Sequence, residues 1–473
     1  MKRFIGWMLA GIMLFGCLAG AGAPALAAGE DVRYRPGDVV TFGMYDQTGF
    51  REPAPIEWIV LDERDGKLFL ISRLGLAALP YDDGGSGTDW ESSSLRAWLN
   101  DRFLRGAFDE EERARIIETR LMNLENSAYP TGGRGVTSDR VFVPSEAEFT
   151  YYAQMPGIGR GVWQTIPSPA AMMQAAEGST DGPKLYDSSV SRTEESVECD
   201  FLFSQDGVWI DMEMKVIYPL GLDAIRAEVY ENGKLTSTVE EAFVPFRLRT
   251  AGGTPDRTAT VQADGTLDLY GESAAPADAA IVRPALWVDR DAVRSVSDPL
   301  TAKHPEARIA LGGDGFIHGY RVDLGSMRYS TALWTWSEEK KDFACGGGWR
   351  GAFVELKHPA EDCVGADIGF YLAGDGSVST VGFAPYARCG GAWEPGLPER
   401  VHFAKTSVDS DRVYDPVRFG FTGARTLEAF LMEYAEVPPE GHPGDTMNYA
   451  VNALYFRTPE AAEAYARTLG LTD

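Results

Sequence analysis

The chain has 473 residues, of which 44% are hydrophobic and 11% aromatic, enough to build a buried core and, by length, about two or three domains. Its net charge is −26. A surface this acidic repels phosphate backbones and anionic headgroups, which argues against nucleic-acid binding and against docking on anionic lipid, and it keeps an exported protein soluble.

Lys2 and Arg3 precede an apolar run over Phe4–Leu18, too short for a membrane span, and small residues then lead to Pro24-Ala25-Leu26-Ala27-Ala28. This is the pattern of a secretory signal peptide over residues 1–27, cleaved after Ala27. Leu14-Phe15-Gly16-Cys17 offers an alternative lipobox, in which Cys17 would be lipidated and the protein held at the membrane surface. Either way the folded part lies outside the cytoplasm.

Ile56–Leu61, a turn at Asp65-Gly66 and Lys67–Ser72 read as a β-hairpin. The same device recurs at Asp206-Gly207, Asn232-Gly233, Asp264-Gly265, Asp314-Gly315 and Asp375-Gly376, so antiparallel strands are expected throughout. Helices interrupt them. Ser94 caps a helix that aligns Leu95, Trp98, Leu99 and Phe103 at the 3.6-residue period. These aromatics, with Trp90, are expected in the core. Asp109 with Glu112, and Ser145 with Glu148, form capping boxes for two more helices. Residues 177–197 are polar and read as a loop leading into an insertion near 183–244, and 291–305 as a charged connector. In the C-terminal segment, 306–473, Thr426 opens a helix with Leu427, Phe430, Leu431 and Tyr434 on one face. Tyr449–Phe456 is a strand, and Thr458-Pro459 starts a last helix that Gly470 ends. The connector is expected to join two separately folded units.

Past the signal peptide, four cysteines remain: Cys199, Cys345, Cys363 and Cys389. They allow three pairings. The matching contexts Cys345-Gly346-Gly347-Gly348-Trp349 and Cys389-Gly390-Gly391-Ala392-Trp393 point to a Cys345–Cys389 disulfide. The histidines are scattered and show no C-x-x-C or H-x-x-x-H spacing, so neither a metal nor a cofactor is expected. There is no G-x-S-x-G elbow, and Gly157-Ile158-Gly159-Arg160-Gly161 follows a helix instead of a strand, which makes it a loop. No catalytic residue is assigned.

Several blocks carry a resemblance: Val40-Thr41-Phe42-Gly43, Pro55–Asp62, Trp90–Phe108 (W-E-S-S-S-L-R-A-W-L-N-D-R-F-L-R-G-A-F), Asp139–Glu146, Leu248-Arg249-Thr250, Val261–Gly265 and Val282-Arg283-Pro284-Ala285-Leu286-Trp287. In this order they resemble a bacterial extracellular domain family without an assigned function, over about 36–290. Where that family shows a W-W pair before L-R, this chain has Phe246-Arg247. The order L-R, V-x-x-D-G, V-R-P is more distantly similar to the formylglycine-generating and C-type-lectin-like superfamily. That similarity implies an α+β fold, an irregular antiparallel sheet with flanking helices, with a smaller α/β domain at the C-terminus. The oxidase chemistry of that superfamily needs a paired-cysteine copper site, which the cysteines here do not match. The calcium motifs E-P-N and Q-P-D of its lectins are absent.

Arg96, Arg249, Arg283 and Trp287 stand inside these blocks. A guanidinium beside buried-type residues must be paired, either as a clamp on carboxylates and carbonyls or as a contact for an anionic ligand in a cleft. Together these features point to a secreted or surface-attached bacterial binding or scaffold protein. Its ligand would be a carbohydrate or a protein, since exposed aromatic side chains suit both. The alternative is an enzyme, either related to the formylglycine-generating oxidases or a hydrolase of unrecognised type.

Overall fold

A computed structural model describes residues 33–471, apart from 48–52, 85–86, 88, 133–134, 169, 172–173, 175–183, 193–195, 206–207, 218–225, 232–233, 241–242, 275–278, 331–333, 338–341, 346–350, 374–379, 405–412 and 437–445. Arg35–Asp473 form one compact unit. The Asp65-Gly66 hairpin is present. Both residues have positive φ, +50° and +72°, and join Pro53–Arg64 to Lys67–Ser72. This hairpin is the middle of a seven-stranded sheet that runs Arg294–Ser295, Val39–Asp46, Pro53–Arg64, Lys67–Ser72, Ala285–Asp289 and Ile116–Ile117, with Val141–Phe142 also on Ala285–Asp289. Trp58 is fully buried beneath it. It donates from Nε1 to the Phe42 carbonyl at 2.7 Å and stacks on Phe108. A five-stranded sheet of Leu267–Ser273, Arg257–Val261, Phe246–Ala251, Ala280–Val282 and Ala77–Leu79 completes this part. Lys184–Glu240 forms a separate five-stranded antiparallel meander, so strands occupy most of the stretch expected as a loop at 177–197.

The C-terminal segment is one eight-stranded sheet. Its order is Glu306–Gly312, Gly315–Ser330, Thr446–Phe456, Gly351–Ala373, Val413–Glu436, Thr380–Cys389 and Ala392–Pro395, with Val401–Ala404 also on Thr380–Cys389. Phe370, Phe383, Phe403 and Tyr414 pack ring against ring in its core.

The fold is therefore mostly β, with two curled half-barrel sheets, and the expected α+β fold with flanking helices and a small α/β C-terminal domain is corrected. The helix expected from Thr426 is the centre of the strand Val413–Glu436. Leu427, Phe430 and Met432 pack into one core cluster, Ala429 and Leu431 lie outside it, and all five are buried. A strand covered on both faces shows a continuous apolar run, which contains the i, i+3, i+4 pattern by chance. The Cys345–Cys389 disulfide is also absent. Cys389 is a free thiol on the eight-stranded sheet, opposite Leu427, whereas Cys345 ends a separate two-stranded ribbon, opposite Trp334. Cys363 is the other free thiol among the described cysteines, and burial pushes it up to about 12.

The capping signals hold. Asp109 and Ser145 each accept from the residue three positions on, and Glu112 and Glu148 return the bond. The first helical segment is capped by Ser93, one residue before the position expected, and passes through a π-type turn at Leu99–Phe103. Trp90, Leu95, Leu99 and Phe103 are buried, but Trp98 is only half-buried, against Phe103. No helix among the described residues is long and apolar enough to cross a membrane.

Thr458 caps the last helix, Pro459–Thr468, and Gly470 at φ +69° ends it. Its Glu463 accepts from His304 Nε2 at 2.9 Å and Arg467 Nε at 2.9 Å, and lies 3.1 Å from Lys303 Nζ. The His304 hydrogen bond first, then those from Arg467 and Lys303, hold the carboxyl near 2 against the cost of burial. A depressed carboxyl stabilises the fold above its unfolded value and loses that contribution as pH falls through the folded one. Urea unfolding followed from pH 5 to pH 2 should therefore show a steeper loss of stability in the wild type than in Glu463→Gln. Equal slopes would mean that the triad adds nothing.

Candidate functional site

Each of the arginines singled out in the sequence is committed to protein partners. Arg96 Nε lies 2.6 Å from Asp139 Oδ1, and its other nitrogens donate to the carbonyls of Glu91 and Ser138. Arg249 grips both oxygens of Glu148, at 2.5 and 3.0 Å, and donates to the Val143 carbonyl. Arg283 is fully buried. It donates to the carbonyls of Ser72 and Val162 at 2.6 and 2.7 Å, faces the Phe246 ring, and has its pKa lowered by burial to about 9. Trp287 is half-buried and stacks on Phe69 with ring centroids 5.1 Å apart. These residues tie the sequence blocks to one another. None of the four lines the polar cleft described next.

That cleft holds about 190 Å³ and is lined by residues from both halves of the chain, among them Phe42, Glu112, Arg115, Glu306, His318 and Arg457. Its floor grows from one capping box. Asp109 caps the helix Glu110–Arg115: its Oδ1 accepts from Glu112 N at 2.9 Å, and Glu112 Oε2 accepts from Asp109 N at 2.8 Å. Arg457, the residue after the strand Thr446–Phe456, reaches the same carboxylate. Its Nη1 donates to Asp109 Oδ2 at 2.8 Å, and its Nη2 lies 2.7 Å from Glu111. Asp109 Oδ2 also accepts from the backbone N–H of His318.

His318 sits in the strand Gly315–Ser330 and is 3% exposed. Its Nδ1 lies 2.9 Å from Glu112 Oε2 and 3.7 Å from Glu306 Oε1. Neither ring nitrogen has the alignment of a hydrogen bond. Glu306 starts the strand Glu306–Gly312 and faces Tyr320 across the ladder.

The electrostatics follow from burial and crowding. Burial raises the Glu306 carboxyl to about 7; Glu112 and Asp109 push the same way, and His318 and Arg457 oppose. Burial disfavours a charged His318, but Glu112, Glu306 and Asp109 outweigh it and raise the imidazole. Asp109 pays for its burial as well, yet the Arg457 hydrogen bond and charge, with His318, keep it below the usual carboxylate range. Tyr320 is pushed well up by burial, then by Glu306. Such a floor can hold a proton between groups or present oxygen and nitrogen donors to a cation.

The sequence signalled only part of this floor. Asp109 and Glu112 were visible as a helix cap. Glu306, His318 and Arg457 lie about 200 to 350 positions further on, and no linear spacing joins them.

Residues 65–290 match the family model DUF6273, described as a domain of unknown function. No protein of curated function matches the chain. Among solved structures, a glycoside hydrolase family 43 arabinoxylan arabinofuranohydrolase from Bacillus subtilis, in complex with cellotetraose, is 10% identical. That match covers 88% of this chain and 99% of the other, at a TM-score of 0.16. A Trypanosoma rangeli sialidase is 8% identical over 59% of this chain and 61% of the other, at a TM-score of 0.11. Superpositions this loose bear on neither fold nor chemistry.

Proposed function

We propose that the protein is an exported or surface-attached bacterial binding protein, and that the cleft over His318 receives a polar unit of a carbohydrate or protein ligand. One observation carries this reading: charged side chains of both signs, with Phe42 and Tyr320, converge on one cleft. Convergent polar groups around a small apolar surface are what fix and orient a polar ligand. Arg115 and Asp291 stand on the exposed rim, so their removal spares the floor. A defined glycan array and a panel of cell-wall peptides test the proposal with purified protein. At least one ligand should be retained, with affinity at least tenfold weaker in Arg115→Ala/Asp291→Ala at unchanged melting temperature. Binding that the double variant leaves intact would put the ligand elsewhere, and no retained ligand would overturn the reading. Turnover of a glycan or peptide on the same panel would favour a hydrolase instead. The side-by-side placement of Glu306 and His318 is the feature that such a reading would use.

A further inference from the structure

We propose that Glu112, Glu306 and His318, with Asp109 beside them, form a binding site for a divalent transition-metal cation of the zinc or manganese class. The proposal stands on side-chain geometry alone and does not depend on the ligand suggested above. Asp109, Glu112 and His318 each bring a donor atom within 4.8 Å of the others. The capping box and Arg457 account for Asp109 and for one oxygen of Glu112. They do not account for the other two groups.

His318 is the independent sign. Its imidazole is 3% exposed, yet neither ring nitrogen has a partner in hydrogen-bond geometry, which a buried polar atom rarely tolerates. Its Nδ1 nevertheless approaches Glu112 Oε2 to 2.9 Å without alignment. Two donors bound to one ion at about 2.0–2.2 Å come to rest about 3 Å apart, with no hydrogen between them. Glu306 completes the set: it accepts no hydrogen bond among the described residues and lines the cleft, which gives an ion a path from solvent. Charge agrees. Arg457 already pairs with Asp109 and Glu111, which leaves Glu112 and Glu306 without a guanidinium of their own. One nitrogen and two or three carboxylate oxygens suit zinc or manganese better than calcium, which takes oxygen alone.

The test is direct metal binding to the full chain, stripped with chelator and titrated calorimetrically with ZnCl2 and, separately, MnCl2. One saturable site is expected for at least one of the two ions. Glu306→Gln should weaken it at least tenfold at unchanged melting temperature, and His318→Ala should abolish it. Cobalt(II) provides a second readout: in the wild type a visible absorption band from a low-symmetry nitrogen–oxygen site should appear at one equivalent, and it should be lost in Glu306→Gln of unchanged melting temperature. Asp314→Asn, an acidic change outside the cluster, should alter nothing. Absence of a saturable site for both ions would overturn the proposal. So would binding that survives Glu306→Gln and His318→Ala, since it would belong to scattered surface carboxylates.

Discussion

Replacing Asp139 by alanine is expected to lower the free energy of unfolding by about 3–5 kcal/mol, the scale for breaking a buried ion pair from one side. The Asp139 side chain is fully buried and serves as a hub. Trp90 Nε1 donates to Oδ2 at 3.0 Å, Thr137 Oγ1 to Oδ2 at 2.9 Å and Arg96 Nε to Oδ1 at 2.6 Å. Asn100 Nδ2 adds a longer contact at 3.5 Å and also donates to the Val141 carbonyl, while its Oδ1 accepts from Arg140 N. Trp90, Arg96 and Asn100 of the block Trp90–Phe108 are thus donors around one acceptor. Alanine would orphan the buried indole N–H and hydroxyl together and free one end of Arg96. Urea denaturation at neutral pH is the measurement, and a loss under 1 kcal/mol would show that the hub is decorative. Asp139→Asn, which keeps the shape but not the charge, should fall between alanine and wild type.

Arg457→Ala should have an effect of similar size, about 3–5 kcal/mol, for a different reason. Asp109 is 2% exposed, and Arg457 is the cation it pairs with, so the variant leaves a carboxylate uncompensated. If that is the origin of the cost, adding Asp109→Asn to Arg457→Ala should recover part of the stability, because the charge that needed a partner is then gone. Strictly additive losses in the double variant would point instead to lost packing around the arginine stem. Because Arg457 follows a strand of the C-terminal sheet and bonds Asp109 outside it, the same variant should make that sheet the first region to exchange its amide protons.

Local devices were legible in the sequence because each is written in a few adjacent residues. The Asp65-Gly66 turn, the boxes Asp109/Glu112 and Ser145/Glu148, and the Thr458-Pro459 start belong to this group. So does the burial of Trp90, Leu95, Leu99 and Phe103. The eight-stranded sheet was not legible. Its longest strands, Gly351–Ala373 and Val413–Glu436, are covered by neighbours along both edges, and where both faces are buried the alternation that marks a strand disappears. Arg96, Arg249 and Arg283 could be singled out as buried-type arginines, but a sequence does not say whether a guanidinium faces a ligand or a carbonyl. Glu306, His318 and Arg457 carried no signal, since isolated charged residues acquire a role only when folding brings them to Asp109.

Val40 pairs with Ser295 and Thr41 with Arg294. The polypeptide therefore passes into and out of its first sheet at neighbouring points. The sheet that closes there is wider than the matched stretch 65–290. Cutting at residue 65 would strip away Val39–Asp46 and Pro53–Arg64 and bare the flank of Lys67–Ser72, where Leu68, Phe69, Leu70 and Ile71 stand in a row. An uncovered apolar flank of that kind recruits further chains, so a fragment trimmed to the matched limits would tend to precipitate.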